Sequence, residues 1–422
     1  MTHTLAYGCI GLPLGHSWSV EIHRLLGGYD YRLLELSPDE VGPFLTARAF
    51  RGINVTIPYK QTVIPYLDEI DPSAAAIGAV NTVVNRNGRL IGYNTDFFGM
   101  KSLIRIAGTP LIHRNIAILG TGGTSLTARA VAQDEGACQI IRVSRTPKES
   151  DEVPYEELKR IAPEVDVLIN TTPVGMFPYE DASPVDPAGF PALQSVVDVV
   201  YRPLQTELVS RARACGVRAV NGLYMLVAQA AMSASHFFGD RSYLDRIHDV
   251  YEKLLSDKHN IALIGMPGCG KSTIGRRLAD MTGRPFADCD AEIASAVGMP
   301  VPDYIDKHGE SAFRAVEARV LRELSQRNGM IIATGGGAVT RQVNVETLRR
   351  NGLIVLLDRP LDELPVTKDR PLSRDRTSLE RLWREREPLY RGAAGLVLPV
   401  SGTPGECAYR LLELLRKERY CL

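Results

Sequence analysis

Short apolar runs alternate with helix-type segments along most of the chain. In the first ~105 residues, strand-type runs occur at Tyr31–Leu36 and Gly52–Ile57, and a helix is expected to begin near Ser19. A more regular alternation starts at the apolar run Asn115–Leu119 and continues to about Asn221. Strands that alternate with helices in this way predict a parallel, doubly wound sheet, so the fold class is α/β.

A further α/β unit is expected near the C-terminus. It begins with the apolar run Ile261–Ile264, continues through Met330–Ala333 and Leu353–Leu357, and closes with a helix near Ala408–Arg416. Since 422 residues are too many for one core, several domains are expected.

The pattern predicts two large units, the first at residues 1–256 and the second at residues 260–422. In the first unit, one lobe takes about 1–105 with helices at about 225–255, and a nucleotide-binding lobe takes about 106–224. A helical segment is expected over Tyr243–Leu255. The connection to the second unit is then only about five residues, Ser256–Asn260.

Composition narrows the class of protein. Hydrophobic residues make up 45% and charged residues 23%, and Lys+Arg and Asp+Glu both number 49. This balance is typical of a soluble globular protein and gives no reason to expect nucleic acid or a membrane as partner. The N-terminus lacks the pattern of a signal peptide, and seven scattered cysteines favour reduced thiols. A cytoplasmic protein is expected, and whether it forms a homo-oligomer is left open.

The run Gly265–Ser272 fits G-x-x-x-x-G-K-[ST] between an expected strand and an expected helix. Its backbone N–H groups would surround phosphate oxygens, Lys271 would reach the β- and γ-phosphates, and Ser272 would ligate Mg²⁺. A chance glycine turn is the alternative. The residues expected at ATP are Gly268, Cys269, Gly270, Lys271, Ser272 and Thr273, with Cys269 at a free position of the motif.

Five short motifs follow this loop in order. They are Asp288-Cys289-Asp290, the segment Gly309–Glu317, Gly335-Gly336-Gly337, Arg370-Pro371-Leu372 and the segment Arg386–Tyr390. With the P-loop they make residues 260–400 resemble the shikimate kinases, which implies a P-loop domain like that of the nucleoside monophosphate kinases.

The resemblance implies a role for each matched residue. Asp290 would orient or deprotonate the attacking hydroxyl, and Asp288 would support Mg²⁺. Arg314 and Arg386 would hold the substrate carboxylate, which suits a planar guanidinium.

Two further elements of the kinase resemblance concern the ring and the phosphoryl group. Gly336 and Gly337 would let the backbone approach the ring. Arg370 would stabilise the transferring phosphoryl group from a lid and contact ATP. Read alone, Arg386 is also compatible with a solvated helix face, and Arg314 with Glu317 could form an exposed helix pair.

The run Gly120–Ser125 follows a strand and opens a helix, as a dinucleotide-binding turn does, although Ser125 replaces the third glycine. At the end of the next strand an NAD site would carry an acidic residue. This chain has Ser144, Arg145, Thr146 and Lys148 instead. Hydroxyls and cations at that position favour the 2′-phosphate of NADP, with a basic surface turn as the alternative.

Around this lobe, residues 5–255 resemble the shikimate dehydrogenases. The matching segments are Gly11–Ser19, Asn54–Lys60, Ile77–Thr82, Gly92–Asp96, Asn170–Met176, Asp198–Pro203 and Gly222–Gln229. This implies a substrate lobe beside a Rossmann-type NADP lobe. The implied substrate-binding residues are Ser17, Ser19, Thr56, Lys60, Asn81, Asp96, Tyr201 and Gln229. The residues expected at NADP are Gly120, Gly122, Gly123, Thr124, Ser144, Arg145, Thr146, Lys148, Thr171, Met176 and Gly222.

Lys60 and Asp96 would be catalytic, because reduction of a ketone needs a proton donor beside the oxygen. Taken alone, the two could form an ordinary ion pair, and Ser17 and Ser19 could cap the helix that follows them. The family usually has Pro after the second serine, whereas Val20 stands here.

Together the two resemblances imply a bifunctional enzyme of the shikimate pathway. It would reduce 3-dehydroshikimate with NADPH to shikimate and phosphorylate shikimate with ATP and Mg²⁺ to shikimate 3-phosphate. Three alternatives stay open: an NAD-dependent quinate/shikimate dehydrogenase fused to a kinase, a sensor that keeps both folds without the chemistry, and an enzyme in which one half is a scaffold.

Overall fold

The computed structural model describes residues 6–15, 17–365 and 375–418. Contacts divide the chain into two compact units, Met1–Arg202 with Thr206–Glu252, and Pro203–Gln205 with Lys253–Leu422. Each unit is described by itself. The expected α/β class is confirmed in both, because each contains sheets of mainly parallel strands covered by helices.

The first sheet of unit 1 is mixed and has the order β2-β1-β3-β5-β6-β4. Its strands are β1 Tyr7–Gly11, β2 Tyr31–Glu35, β3 Gly52–Val55, β4 Glu69–Ile70, β5 Thr82–Arg86 and β6 Arg89–Tyr93. Its helices are α1 Ser19–Gly27, α2 Pro38–Ala47, α3 Pro72–Ile77 and α4 Thr95–Ile106, with a 3₁₀ turn at Ile64–Tyr66. β1 pairs in parallel with β2 and β3, and β5 is antiparallel to both of its neighbours.

The second sheet of unit 1 is parallel throughout, with the order β12-β11-β10-β7-β8-β9. Its strands are β7 Asn115–Leu119, β8 Gln139–Ser144, β9 Glu152–Pro154, β10 Val167–Asn170, β11 Ser195–Asp198 and β12 Arg218–Val220. The helices that follow along the chain are α5 Gly123–Asp134, α6 Tyr155–Ile161, α7 Glu207–Ala214, α8 Leu223–Phe238 and α9 Ile247–Lys258, with 3₁₀ turns at Ala162–Glu164, Pro187–Gly189 and Arg241–Arg246. Helix α8 packs against α1 and α4 of the first sheet, and α9 ends within the residues of unit 2. The chain winds outward from β7 through β9 and then restarts at β10. The crevice beyond β7 and β10 is therefore the switch point where such sheets bind ligands.

Unit 2 has one parallel sheet with the order β14-β15-β13-β16-β17. Its strands are β13 Asn260–Ile264, β14 Phe286–Asp288, β15 Ile331–Ala333, β16 Gly352–Asp358 and β17 Leu396–Pro399. The helices are α10 Lys271–Thr282, α11 Cys289–Val297, α12 Val301–Ser325, α13 Gln342–Arg350, α14 Arg376–Ala393 and α15 Pro404–Lys417, with 3₁₀ turns at Ala338–Thr340 and Leu361–Glu363. Helix α12 is broken at Gly309, whose φ of 84° and ψ of 163° are not helical.

One expected element differs from the structure. The segment Tyr243–Leu255 is not one helix, because 3₁₀ structure over Arg241–Arg246 precedes α9, which begins at Ile247 and ends at Lys258. The predicted five-residue connection at Ser256–Asn260 is therefore wrong, and only His259 separates α9 from β13. Among the residues that the structure describes, no helix has the length and apolar character needed to cross a membrane.

Candidate active sites

Lys60 and Asp96 form an ion pair in unit 1, with 2.6 Å between the Lys60 Nζ and the Asp96 Oδ2. Lys60 lies in the loop after β3, and Asp96 lies in the first turn of α4, where the Asn94 side chain caps the helix by accepting from the Phe97 N–H. The two side chains are only 17% and 11% exposed. Sequence reasoning predicted this pair, and the structure brings it together across 36 residues.

The pair lies beside the predicted dinucleotide turn. A Cβ built on Gly123, the first residue of α5, would lie 3.8 Å from the Lys60 Cδ. The Lys60 side chain is therefore next to the turn.

A buried hydrogen-bond network holds the Asn81 side chain in place. Its side-chain oxygen accepts from the Thr95 N–H at 2.7 Å, directly before Asp96. The Ser233 hydroxyl of α8 lies 2.7 Å from Asn54 Nδ2, 2.9 Å from Thr82 Oγ1 and 3.0 Å from Thr95 Oγ1. The sequence analysis missed this network, although polar residues at positions expected to be buried were the available signal.

Ser17 and Ser19 contact each other, with the Ser17 hydroxyl donating to the Ser19 hydroxyl at 2.9 Å and accepting from the Ser19 N–H. Trp18 occupies the N-cap position of α1, without a side-chain cap bond. The Ser17 hydroxyl therefore accepts from the first N–H of α1, as a capping group does, although Trp18 stands at the N-cap position. The Trp18 ring lies 5.1 Å from the Tyr201 ring, which brings the serine loop to the segment after β11.

The remaining predicted substrate residues lie on separate elements. The Thr56 N–H donates to the Ile10 carbonyl at 3.0 Å, which ties the Lys60 loop to β1. Gln229 lies on α8, and its side-chain amide donates to the Leu226 carbonyl at 2.9 Å. Burial raises the pKa of the Tyr201 hydroxyl, so this group stays protonated at neutral pH.

The glycine turn after β7 has room for a pyrophosphate. Gly120 has a φ of +102°, and a Cβ on it would lie 2.9 Å from the Thr171 Oγ1. A Cβ on Gly122 would have no heavy atom within 4 Å, which leaves open space over the turn. Thr171 donates to the Leu119 carbonyl at 2.7 Å and so lines the same crevice. Glycine backbone and the start of a twelve-residue helix fit an anionic dinucleotide.

The residues expected around the 2′-phosphate follow β8. The Ser144 hydroxyl is buried and accepts from the Thr146 N–H at 3.1 Å, while Arg145 and Lys148 are exposed. Their donor set fits a phosphate group. Met176 is 45% exposed.

In unit 2, a cavity of about 870 Å³ gathers the predicted kinase residues. It is lined by Gly268, Gly270, Lys271, Ser272, Thr273, Asp288, Asp290, Arg314, Gly336, Gly337 and Arg386, together with others that include Phe313, Glu310, Glu317 and Pro365. Cys269 is fully buried and is not among the residues that line the cavity, so its expected contact with ATP is not supported by the cavity. Arg370 lies outside the described residues.

The P-loop end of this cavity holds a lysine and an oxygen-donor pair. The Lys271 Nζ donates to the Gly265 carbonyl at 2.9 Å and to the Met266 carbonyl at 3.1 Å. The Ser272 hydroxyl donates to Asp288 Oδ2, and Asp288 Oδ1 accepts from the Asp290 N–H at 3.1 Å. A hydroxyl next to a carboxylate is the donor type that Mg²⁺ takes beside a phosphate, so these residues fit the metal.

The other end of the cavity holds charged side chains in a buried setting. Arg314 donates to Glu317 Oε2 at 2.9 Å and to Glu310 Oε1 at 3.1 Å. Glu317 is fully buried, and burial raises its pKa although Arg314 opposes the shift. Arg314 and Glu317 are thus not an exposed pair, and sequence reasoning did not foresee that Glu317 belongs to the cavity.

Arg386 and Tyr390 lie one turn apart on α14 and donate to the same carbonyl, that of Gly336, at 2.9 and 2.5 Å. Arg386 is only 7% exposed, so its alternative reading as a solvated helix face is wrong. The guanidinium is fixed on the glycine loop, with further donors available to an anion. Tyr390 ends the Arg386–Tyr390 motif, but its bond to the glycine loop was not expected from the sequence.

Comparison with known proteins gives two family matches. Residues 9–83 match the model of the shikimate dehydrogenase substrate binding domain, and residues 267–416 match that of shikimate kinase. Shikimate dehydrogenase (NADP(+)) of Halothermothrix orenii is 42% identical over 261 residues, which are 54% of this chain and 89% of that protein. The Methanococcus maripaludis protein of the same name is 38% identical over 251 residues, 54% of this chain and 90% of that protein.

Solved structures extend the similarity. Shikimate 5-dehydrogenase from Thermus thermophilus, solved in complex with NADP(H) and shikimate, is 32% identical with a TM-score of 0.52, and covers 58% of this chain and 99% of its own. A chorismate mutase/shikimate 5-dehydrogenase fusion protein from Clostridium acetobutylicum is 36% identical with a TM-score of 0.55, and covers 60% of this chain and 98% of its own.

Proposed function

The chain belongs to the shikimate dehydrogenase family in its N-terminal half and carries a shikimate kinase domain in its C-terminal half, and from this premise we propose that it catalyses two consecutive reactions. The first is reduction of 3-dehydroshikimate to shikimate with NADPH. The second is transfer of the ATP γ-phosphoryl group to shikimate. The dehydrogenase would occupy residues 1–256 and the kinase residues 260–422.

The observation that carries the dehydrogenase assignment is the Lys60–Asp96 pair next to Gly123. NADPH would supply a hydride to the ketone carbon. Lys60 would donate a proton to the ketone oxygen, so that the carbonyl becomes an alcohol, and Asp96 would keep the ammonium group oriented toward that oxygen. Both side chains are shielded enough from water for their geometry to be held.

The remaining residues of this site would recognise substrate and cofactor. Ser17 and Ser19 would bind the carboxylate, and a group of polar residues would bind the ring hydroxyls, namely Thr56, Asn81, Tyr201 and Gln229. Arg145 and Lys148 would favour NADPH over NADH, since an NAD site carries a carboxylate at this place.

In the kinase half, ATP with Mg²⁺ would supply the phosphoryl group. Asp290 would accept the proton of the attacking hydroxyl, and Arg314 and Arg386 would hold the substrate carboxylate. Ser272 and Asp288 would hold the metal. This proposal is supported by the single cavity that holds the P-loop, Asp290 and both arginines.

The test is one assay on the purified full chain with dehydroshikimate, NADPH, ATP and Mg²⁺, in which the oxidation of NADPH and the formation of ADP are followed separately. We expect both signals, with ADP formation dependent on the shikimate made. Replacing NADPH with NADH examines the NAD-dependent alternative. A chain with neither activity would support the sensor alternative and refute the proposal.

Two variants separate the halves. Lys60→Ala should remove NADPH oxidation and leave phosphorylation of added shikimate, and Lys271→Met should do the reverse. If either change abolished both activities in a folded protein, two independent sites would be the wrong description.

A further inference from the structure

Arg142 is buried in the middle of the nucleotide-binding lobe. It lies on β8 and pairs in register with Ile118 of β7 and with Glu152 of β9. Only 1% of its side chain is exposed, which makes it one of the largest fully buried side chains among the described residues. A guanidinium in such a place is costly unless carboxylates pair with it.

Three carboxylates meet this guanidinium. Asp151 accepts a bidentate pair of hydrogen bonds from Arg142, from Nε to Oδ2 at 2.9 Å and from Nη2 to Oδ1 at 2.8 Å. Glu152 lies 3.2 Å from Nη2, and Glu149 accepts a hydrogen bond from the same nitrogen. These bonds raise the pKa of Arg142 and, mainly through the hydrogen bond from Arg142, lower that of Asp151.

The same cluster closes the basic turn after β8. The backbone N–H of Arg142 donates to the Asp151 carbonyl at 3.0 Å, and the backbone N–H of Lys148 donates to Glu152 Oε2 at 2.7 Å. Residues 143–150 therefore form an arc whose two ends are held at Arg142. Arg145 and Lys148, the cations expected at a 2′-phosphate, both lie on that arc.

Charge explains why this cluster of Arg142 and three carboxylates matters to a cofactor. Glu149, Asp151 and Glu152 outnumber the two cations on the arc, so without Arg142 their charge would repel a 2′-phosphate. Arg129 of α5 adds a weaker contribution at 3.2 Å from Asp151, and it is 37% exposed. Arg142 is the cation that contacts all three carboxylates.

We propose that Arg142 is a positioning residue for cofactor specificity, which acts through the arc to favour NADPH over NADH without touching the cofactor. The proposal rests on the proposed use of NADPH. It assigns specificity to a buried residue on the strand in addition to the exposed basic residues that follow it.

The test measures binding in the absence of substrate, by titrating the full chain and following the fluorescence of the reduced nicotinamide. Arg142→Met replaces the apolar stem of the side chain and removes the charged guanidinium. We expect the Kd for NADPH to rise at least tenfold and that for NADH to change less than threefold. Arg160→Met is the matched control, because Arg160 is an exposed arginine of the same lobe, and it should change neither value.

Equal weakening of both cofactors, or no change in either, would overturn the proposal. If Arg142→Met fails to fold, as judged by circular dichroism, Glu149→Gln decides instead, since Glu149 is 58% exposed. Removal of its charge should tighten NADPH about two- to threefold at constant NADH affinity, and unchanged or weaker NADPH binding would overturn the idea. A wild-type chain without preference for NADPH would refute the proposed use of NADPH and the role of Arg142 with it, whereas a wild-type preference that Arg142→Met leaves unchanged would refute the role of Arg142 alone.

Discussion

A buried carboxylate at the end of β11 gives a quantitative prediction. Asp198 is fully buried and accepts three hydrogen bonds, from Asn170 Nδ2 at 2.9 Å, the Val200 N–H at 3.1 Å and the Thr206 hydroxyl at 2.7 Å. Burial nevertheless outweighs these bonds and raises its pKa from 3.8 to about 6.

A raised carboxyl pKa lowers stability as the pH rises. Below about pH 4 the group is protonated in both the folded and the unfolded chain, and between about pH 4 and 6 only the folded chain keeps the proton. The free energy of unfolding should therefore fall through this range. At about 1.4 kcal/mol per pH unit, the total loss is about 3 kcal/mol, of which about half falls between pH 5 and pH 8.

Asp198→Asn should remove this loss. The amide oxygen can accept from Asn170 and Val200, and its NH₂ can donate to Thr206 Oγ1, so the hydrogen bonds survive. Between pH 5 and pH 8, the free energy of unfolding of the variant should rise by about 1.5 kcal/mol relative to that of the wild type.

Urea unfolding followed by Trp18 fluorescence measures this change in the dehydrogenase half. Trp383→Phe makes Trp18 the only one of the chain's two tryptophans that remains. Asp240→Asn is the control. Since the Ser242 hydrogen bonds lower the pKa of Asp240, its effect should be constant over this range. A pH-independent effect of Asp198→Asn would refute the reasoning.

Other changes should separate binding from stability. Gly122→Ala should leave stability unchanged and raise the Kd for NADPH at least tenfold, because the methyl group enters the open space over the turn. Gly222→Ala should destabilise the fold, because its Cβ would clash with the Val199 carbonyl. NADPH titration and thermal unfolding measure both effects. Ser233→Ala should cost about 1–3 kcal/mol in urea unfolding and lower kcat for reduction with little change in NADPH affinity, since the network supports Asn81 and not the turn. Glu317→Gln should raise the KM for shikimate in phosphorylation at least tenfold and leave reduction unchanged, because Arg314 loses its buried counter-charge; unchanged kinase kinetics would contradict this role.

Much of this could be predicted from the sequence because glycine turns and apolar strands are local signals. The run Asn115–Leu119 forms β7 with the predicted bounds, and the glycines after it open α5. The P-loop at Gly265–Ser272 likewise leads from β13 into α10. In each case a strand, a positive-φ glycine and a helix follow within a few residues, so no distant contact is needed to recognise them.

Two features escaped prediction, the first because of a local contact and the second because of distant ones. The Tyr243–Leu255 segment has helical periodicity throughout, but Asp240 accepts from the Ser242 N–H and fixes a 3₁₀ start, so α9 begins later. Ser233 looks like an ordinary polar residue in an apolar helix. Its three partners, from β3, β5 and α4, come from the folded chain alone.

Three buried charged residues, Asp198, Arg142 and Glu317, each lie next to a predicted ligand-binding residue. Asp198 holds the segment that carries Tyr201, Arg142 holds the arc of Arg145 and Lys148, and Glu317 holds Arg314. Each carries a desolvation penalty that an apolar residue would avoid, and each is one contact away from a predicted ligand-binding residue. Apolar packing could fill the same space but could not orient a cation or a turn. The expected cost is therefore to stability, and the expected gain is to binding, which is why unfolding and ligand titration should be measured together for every one of these variants.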